Sequence, residues 1–258
     1  LAGAGTQTAA LGFGGNTGSV TGVTELYNGT AWAELNDLNT PKLQLAGKGT
    51  STSALGFGGN NPVTATTESW SGTSWTEVND LNTARSQLGG SGASNTSALA
   101  FGGNVPPAKN ETELWNGSNW TEVNNLNTAR RLLGGIGTQT AALAWGGLDT
   151  AVTAITEVWN GTNWTEVNDL NNARYGLVGI GTSTSALATG GFITAPSTVN
   201  ESWNGTNWAN TTSLPTATAE GASAGTSTAG LYFGGAAPSV TTTTFEWYGD
   251  GTLSENID

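Results

Sequence analysis

The chain of 258 residues has few side chains that can take part in catalysis. It contains no histidine and no cysteine, which excludes the common zinc and copper ligands and the Ser-His-Asp and Cys-His arrangements of nucleophilic catalysis. Pairs of carboxylates can hydrolyse glycosidic bonds, but most acidic residues recur at a fixed spacing, which indicates a structural role. We therefore predict that the protein is not an enzyme and has no cofactor, with a glycoside hydrolase as the alternative that the carboxylates leave open.

Calcium is the remaining common metal whose oxygen ligands the sequence could supply. Asp149 and Asp250 are acidic residues in loop-like segments, but neither has a second acid two residues away. Calcium loops usually supply several carboxylates at that spacing. We predict no metal site.

The charge balance is strongly acidic, with 7 Lys and Arg residues against 19 Asp and Glu residues and a formal net charge of −12. Nucleic-acid binding needs clustered cations, so no nucleic-acid partner is expected. No apolar run approaches the roughly 20 residues of a membrane span. The sequence has no methionine and begins inside a repeat, which suggests either a processed product or a segment of a longer protein.

Paired glycines recur every 44 residues and define six copies of one repeat. A leucine lies three residues before each pair, and an aromatic residue precedes the pair directly in five copies, with Thr189 as the exception. Leucine and aromatic are two residues apart and therefore share one face of a strand. The pairs are Gly14-Gly15, Gly58-Gly59, Gly102-Gly103, Gly146-Gly147, Gly190-Gly191 and Gly234-Gly235.

Five copies contain an aromatic residue, a turn segment with Asn-Gly or Ser-Gly, and then a tryptophan, as in Trp159 to Trp164. Asn-Gly between apolar residues is a strong hairpin signal. A two-residue turn would place Trp164 opposite Glu157, whereas a four-residue loop would place Glu157 opposite Glu166. Because like charges directly opposite each other destabilise a sheet, we predict the two-residue turn.

Four short strands in each repeat predict an all-β fold, a six-bladed β-propeller of four-stranded antiparallel blades. The glycine pair, the aromatic residue and the tryptophan, followed by Pro-Lys or Ala-Arg, resemble the kelch repeat over nearly the whole chain. This resemblance implies a propeller and no particular function, because kelch propellers include oxidases, binding modules and scaffolds. The copper chemistry of some of them does not carry over, since the ligands are absent.

We predict one domain, 1–258, with blades at about 1–41, 42–85, 86–130, 131–174, 175–217 and 218–258. Each blade would come from contiguous sequence, starting at its innermost strand. The ring would then close by packing of the first blade against the sixth, without a shared strand.

One cation per repeat recurs near the end of each of the first four copies, and one glutamate recurs in the strand before the hairpin turn of copies two to five. We predict ion pairs within or between blades, with solvated side chains as the alternative. The cations are Lys42, Arg85, Arg130 and Arg174, and the glutamates are Glu68, Glu113, Glu157 and Glu201.

The segments after the glycine pairs differ most between copies, and we expect all six at one end of the propeller. Binding residues are often on loops held by a rigid frame, so this end is the candidate site. The segments are 16–23, 60–65, 104–111, 148–155, 192–199 and 236–243. The candidate binding residues are Asn16, Asn60, Asn61, Asn104, Lys109, Glu111, Asp149 and Phe192.

The richness in Thr, Asn, Ala and Gly and the tandem copies resemble kelch-type repeats in virion proteins of marine bacteriophages. This resemblance implies a non-catalytic, surface-displayed module, a tail fibre or head decoration, that contacts a protein or glycan partner and belongs to a larger assembly. Its expected location is the virion surface or the extracellular space. The alternative is a secreted bacterial carbohydrate-binding adhesin or lectin.

Overall fold

The computed structural model describes residues 1–236, 239–249 and 251–256. These residues form 24 strands and no helix. The strands make six four-stranded antiparallel sheets, each built from four consecutive strands. The predicted all-β fold with six blades is confirmed.

The strand bounds place one sheet in each repeat. Blade one contains β1 Ala2–Thr6, β2 Ala9–Phe13, β3 Thr24–Tyr27 and β4 Trp32–Glu34; blade two contains β5 Ala46–Thr50, β6 Ser53–Phe57, β7 Thr67–Trp70 and β8 Trp75–Val78. Blade three contains β9 Gly89–Ser94, β10 Ser97–Phe101, β11 Thr112–Trp115 and β12 Trp120–Val123; blade four contains β13 Gly134–Gly137, β14 Ala142–Trp145, β15 Thr156–Trp159 and β16 Trp164–Val167. Blade five contains β17 Val178–Thr182, β18 Ser185–Thr189, β19 Asn200–Trp203 and β20 Trp208–Asn210; blade six contains β21 Ala222–Thr226, β22 Ala229–Phe233, β23 Thr244–Tyr248 and β24 Leu253–Asn256.

The first strands of the six blades contact one another in a ring around the axis. β1 of blade one contacts β5 of blade two and also β21 of blade six. No strand of one terminus pairs into the blade of the other among the described residues. Within the described residues the ring therefore closes without a shared strand, as predicted, through packing and side-chain hydrogen bonds such as that from Nε1 of Trp32 to the hydroxyl of Thr244. Residues 257–258, which the prediction also concerned, lie outside the described residues.

In five of the six blades the second strand ends in an aromatic residue, which packs into the next blade; blade five has Thr189 there. Phe13 of blade one lies over Gly47 of blade two, where a Cβ atom would overlap its ring. Its ring centroid is also 4.7 Å from that of Trp75 on the outer strand of blade two. The glycines of the inner strands thus make room for the aromatic rings of the preceding blade. Blades six and one make the same kind of contact, with the ring centroids of Phe233 and Trp32 4.8 Å apart.

The predicted two-residue turn is wrong. Trp159 pairs with Trp164 and Glu157 pairs with Glu166, so residues 160–163 form a four-residue loop. The expected repulsion between the two glutamates is offset because the carboxylate of Glu157 is buried against the guanidinium of Arg130, at 3.0 Å, while Glu166 is exposed to water. The paired tryptophans gain a ring contact with centroids 5.5 Å apart.

Candidate functional site

The loop after the second strand of every blade lies at the same end of the propeller as the connector between blades. Neighbouring strands are antiparallel, so the second and fourth strands end on the same side. Short bridges join the two segments: the N–H of Asn60 donates to the carbonyl of Leu43 at 2.8 Å, and the N–H of Phe192 donates to that of Tyr175 at 2.7 Å. We call this end the variable-loop face; it comprises the described residues of 16–23, 60–65, 104–111, 148–155, 192–199 and 236–243.

Five residues, one from each connector, form a ring around the axis on this face. They all have left-handed backbone conformations, with φ between 53° and 63°. The N–H of each successive residue donates to the carbonyl of the one before it, in four hydrogen bonds of 2.8 Å. We call Gln44, Gln87, Leu132, Gly176 and Glu220 the connector ring.

A cavity of about 1060 Å³ opens beside the connector ring. All five ring residues line it, as do Asn16 and Thr17 of the first variable loop. From the ring the cavity continues between blades six and one, past Gly234 and Trp32. Of the candidate residues, only Asn16 lies in its wall.

The other candidate residues lie on the same face but outside the wall of the cavity. The backbones of Asn60, Asn104 and Phe192 are fixed, because each forms a β-bridge with a residue of the adjoining connector. Lys109 and Glu111 form a half-exposed ion pair with Nζ 3.9 Å from Oε1. Asn61 and Asp149 are exposed at the loops of blades two and four.

Phe192 belongs to an aromatic pair with Tyr175 of the adjoining connector. The ring centroids are 5.2 Å apart and the ring planes differ by 23°, a stacked arrangement. Both side chains are half-buried, and Ile193 beside them is 42% exposed. These side chains form an apolar patch on this face; Val240 of the sixth variable loop is a further exposed apolar side chain there, at 55%.

The recurrent cations and glutamates form buried ion pairs between a connector and the following blade, so the alternative of solvated charges is wrong. Arg130 is fully buried and its NH2 lies 3.0 Å from Oε1 of Glu157, while its NH1 donates to the carbonyls of Gly146 at 3.0 Å and Ile155 at 2.5 Å. Burial lowers the pKa of Arg130, and Glu157 partly offsets that effect. The equivalent pairs are Lys42–Glu68, Arg85–Glu113 and Arg174–Glu201, at 3.3, 2.9 and 3.0 Å.

No cluster of three or more metal-ligating side chains occurs within the described residues. Asp149 is a single exposed carboxylate, and Asp250 lies outside the described residues. The described part of the chain also contains no helix of the length and apolarity that crossing a membrane requires.

The connector ring was not predicted as part of the site. Its first four residues lie two positions after the recurrent cation, and Glu220 lies two positions after Thr218; the residue directly before each of them also differs between copies. The change from glutamine to leucine, glycine and glutamate at this one position is a signal that a comparison of the copies could have used.

No family model and no curated protein sequence matches this chain. Among solved structures, the one titled "Structure of YjhT" matches 99% of this chain and 96% of that chain, with a TM-score of 0.80 and 13% sequence identity. At this identity the likeness concerns the fold alone. The chain is therefore similar to YjhT as a propeller.

Proposed function

We propose that the protein is a non-catalytic binding and structural module that engages its partner through the variable-loop face. The observation that carries this proposal is the arrangement of that face, in which the variable loops share one end of a rigid frame, bridges to the connectors fix their bases, and the loops of blades one and six line a cavity. A frame of this kind holds variable side chains in place without an ordering cost on binding.

We further propose that the module is a virion component of a bacteriophage, a tail fibre or head decoration on the virion surface. The kelch-like repeat pattern and the composition support this assignment by resemblance. The acidic net charge of −12 fits a partner that is a protein or a glycan rather than a nucleic acid. The partner would be a host-surface molecule or another virion protein.

The test combines copurification with a variant of the face. The chain should copurify with capsid or tail proteins, and this association should weaken at least tenfold when residues 192–199 are replaced by the chain's own segment 148–155. The two segments have the same length and position in the repeat, so the frame is kept. Thr162→Ala, in a turn at the opposite end of the propeller, is the matched control and should have no effect. An unchanged association in the exchanged variant would contradict binding at this face.

The stacked pair of Tyr175 and Phe192 favours a second candidate, a carbohydrate-binding adhesin or lectin. Flat aromatic faces with an exposed edge pack well against the apolar faces of sugar rings. A glycan array should then show binding that Tyr175→Ala and Phe192→Ala both abolish. Sugar binding that survives both substitutions would exclude this pair as the site.

A further inference from the structure

All but one of the seven cationic side chains have a polar partner within the described part of the chain. Arg131 donates to Oε1 of Gln87 at 3.1 Å. Lys48 is the exception, because no hydrogen bond or ion pair joins its ammonium group to a described residue. The cations that form ion pairs with glutamates are Lys42, Arg85, Lys109, Arg130 and Arg174.

Lys48 lies on the inner strand of blade two, in the wall of the central channel. The part of the channel beside it has a volume of about 110 Å³. Apart from Ser223, the rest of the wall consists of glycine, alanine, leucine and valine residues, so Lys48 has the only charged side chain among the described residues there. The equivalent residues of the other blades, which pair with the recurrent leucine, are all uncharged: Ala4, Ser91, Ile136, Ile180 and Ala224.

The strands around Lys48 supply no carboxylate. β5 packs against β1, β6, β9 and β10, and none of these four strands contains an acidic or other titratable residue. Burial accordingly lowers the pKa of Lys48 to about 8, and no neighbouring carboxylate raises it again. A cation in such a site is costly unless an opposite charge or water compensates it. An ion from solution is the counter-charge for which the channel has room.

The inner strands direct further hydrogen-bond donors toward the channel. In blade four the N–H of Thr138 donates to the carbonyl of Ala141 at 2.9 Å, and bonded and non-bonded residues alternate along an antiparallel pair. Gly135 lies three residues before Thr138, so its N–H points away from β14 and toward the channel. Gly47 has the same place in blade two, directly before Lys48, and both glycines line the channel.

The charge and the size of this site favour a small monovalent anion. One ammonium group balances one negative charge, and the carbonyl oxygens of the inner strands lie on the same side as the N–H groups, which disfavours an anion of higher charge. A water molecule needs roughly 10–15 Å³ of cavity volume, so 110 Å³ accommodates a chloride-sized ion together with water. The net charge of −12 opposes anions in general, so we expect an affinity in the millimolar range.

We propose that the central channel is a binding site for a small monovalent anion such as chloride. The ammonium group of Lys48 binds the ion, and the N–H groups on the channel side of the inner strands, that of Gly47 included, complete its coordination together with water. The site is separate from the variable-loop face and does not depend on the function proposed for that face. The bound anion neutralises the unpaired cation where the six blades meet, and it therefore couples the stability of the propeller to the anion concentration.

Thermal unfolding of the full chain at constant ionic strength tests the proposal. Sodium chloride replaces sodium gluconate, whose anion is much larger than chloride, at pH 7. At a chloride concentration ten times the dissociation constant, the ratio of folded to unfolded chain should be about elevenfold higher. Lys48→Met should start from a higher melting temperature, because it removes the buried charge, and should not respond to chloride. Arg131→Met removes one cation elsewhere and should keep the full response.

Binding itself is measured by the line width of the chloride NMR signal. The natural chain should broaden this signal, Lys48→Met should lose most of the broadening, and the broadening should decrease above about pH 8 because a neutral amine does not attract the anion. Crystals grown with sodium bromide should show an anomalous peak beside Nζ of Lys48. An equal chloride response in Lys48→Met, no chloride-specific response in the natural chain, or a channel without a bromide peak would overturn the proposal.

Discussion

The third junction, between blades three and four, and the fifth, between blades five and six, solve the same packing problem with different chemistry. The third buries Arg130 against Glu157, whereas the fifth has Thr218 and Phe245 at the equivalent positions, with Tyr232 where blade four has Ala144. The hydroxyl of Tyr232 lies 3.0 Å from that of Thr218, and its ring packs beside Phe245 with centroids 6.2 Å apart. One large phenol thus fills the space of an arginine.

The difference shows that the ion pair is one of two solutions rather than a requirement of the fold. The arginine pairs are incompletely satisfied, since the Nε atoms of Arg85, Arg130 and Arg174 are buried and have no hydrogen-bond partner among the described residues. In the fifth junction burial raises the pKa of Tyr232 to about 12, so the phenol stays neutral at neutral pH. A neutral junction avoids the desolvation cost that a buried ion pair must offset.

Breaking one partner of an ion pair should give the largest effect. Arg130→Met leaves the carboxylate of Glu157 buried without its cation, and we expect a loss of about 3–5 kcal/mol in the free energy of unfolding. Urea denaturation measures it. The control is Arg131→Met, at the half-buried residue next to Arg130. It removes the hydrogen bond that Arg131 donates to Gln87 and should cost about 1 kcal/mol. Equal losses in the two variants would mean that the buried pair has no special role.

Copying the fifth junction into the third should recover much of that loss. The variant combines Arg130→Thr, Leu133→Gly, Ala144→Tyr and Glu157→Phe, and each new residue is the one at the equivalent position of the fifth junction. Leu133→Gly is required because a Cβ atom on its equivalent, Gly221, would lie 2.4 Å from the hydroxyl oxygen of Tyr232. Because no charge is then buried, we expect stability at least about 2 kcal/mol above that of Arg130→Met. If the fourfold variant is no more stable than the single one in urea, the two junctions are not interchangeable.

Tryptophan hydrogen bonds give a second comparison, between the third junction and the junction of blades six and one, where the cavity opens. The Nε1 of Trp164 donates to the hydroxyl of Thr112 at 3.0 Å in a buried setting, and that of Trp32 donates to Thr244 at 3.2 Å where the indole is half-buried. Thr112→Val should cost about 1–3 kcal/mol because the indole N–H is left without a partner. Thr244→Val should cost under about 1 kcal/mol because water can replace the hydroxyl. Thermal unfolding of both variants measures the two losses of stability. A larger loss in Thr244→Val than in Thr112→Val would contradict the exposure of the Trp32 indole.

The architecture was predictable because each blade repeats the same local constraints. The glycine pairs defined the period, and the phase of Arg130 and Glu157 indicated an ion pair. The hairpin register was not predictable from the hairpin alone, since the repulsion between Glu157 and Glu166 is offset by a cation that arrives from another blade.

The connector ring shows the second limit of the sequence. Gln44, Leu132 and Glu220 have left-handed backbones, a conformation that these residue types rarely adopt. Here the hydrogen bonds between successive connectors impose the left-handed conformation, and no residue preference within the connector predicts that conformation. The position of the variable loops at one end of the propeller could be predicted because the repeat places them at the same point of every blade. The cavity could not be predicted, because it depends on how the blades meet.

Substitution of Lys48 should give the smallest change in stability, and this change should depend on pH. Lys48 lines the narrow central channel that the first strands of the blades surround. It is half-buried on β5 in the channel wall, and burial lowers its pKa from 10.5 to about 8. Between those two pH values the unfolded chain binds more protons at this site than the folded chain, so stability rises with pH across that window. Below about pH 8 the folded state carries the full desolvation cost, which Lys48→Met removes. We therefore expect Lys48→Met to be more stable than the natural chain by about 1 kcal/mol at pH 7, with the difference shrinking toward pH 10.5. Urea denaturation of both proteins across this range checks it, and a difference that does not change with pH would show that the ammonium group is solvated in the channel.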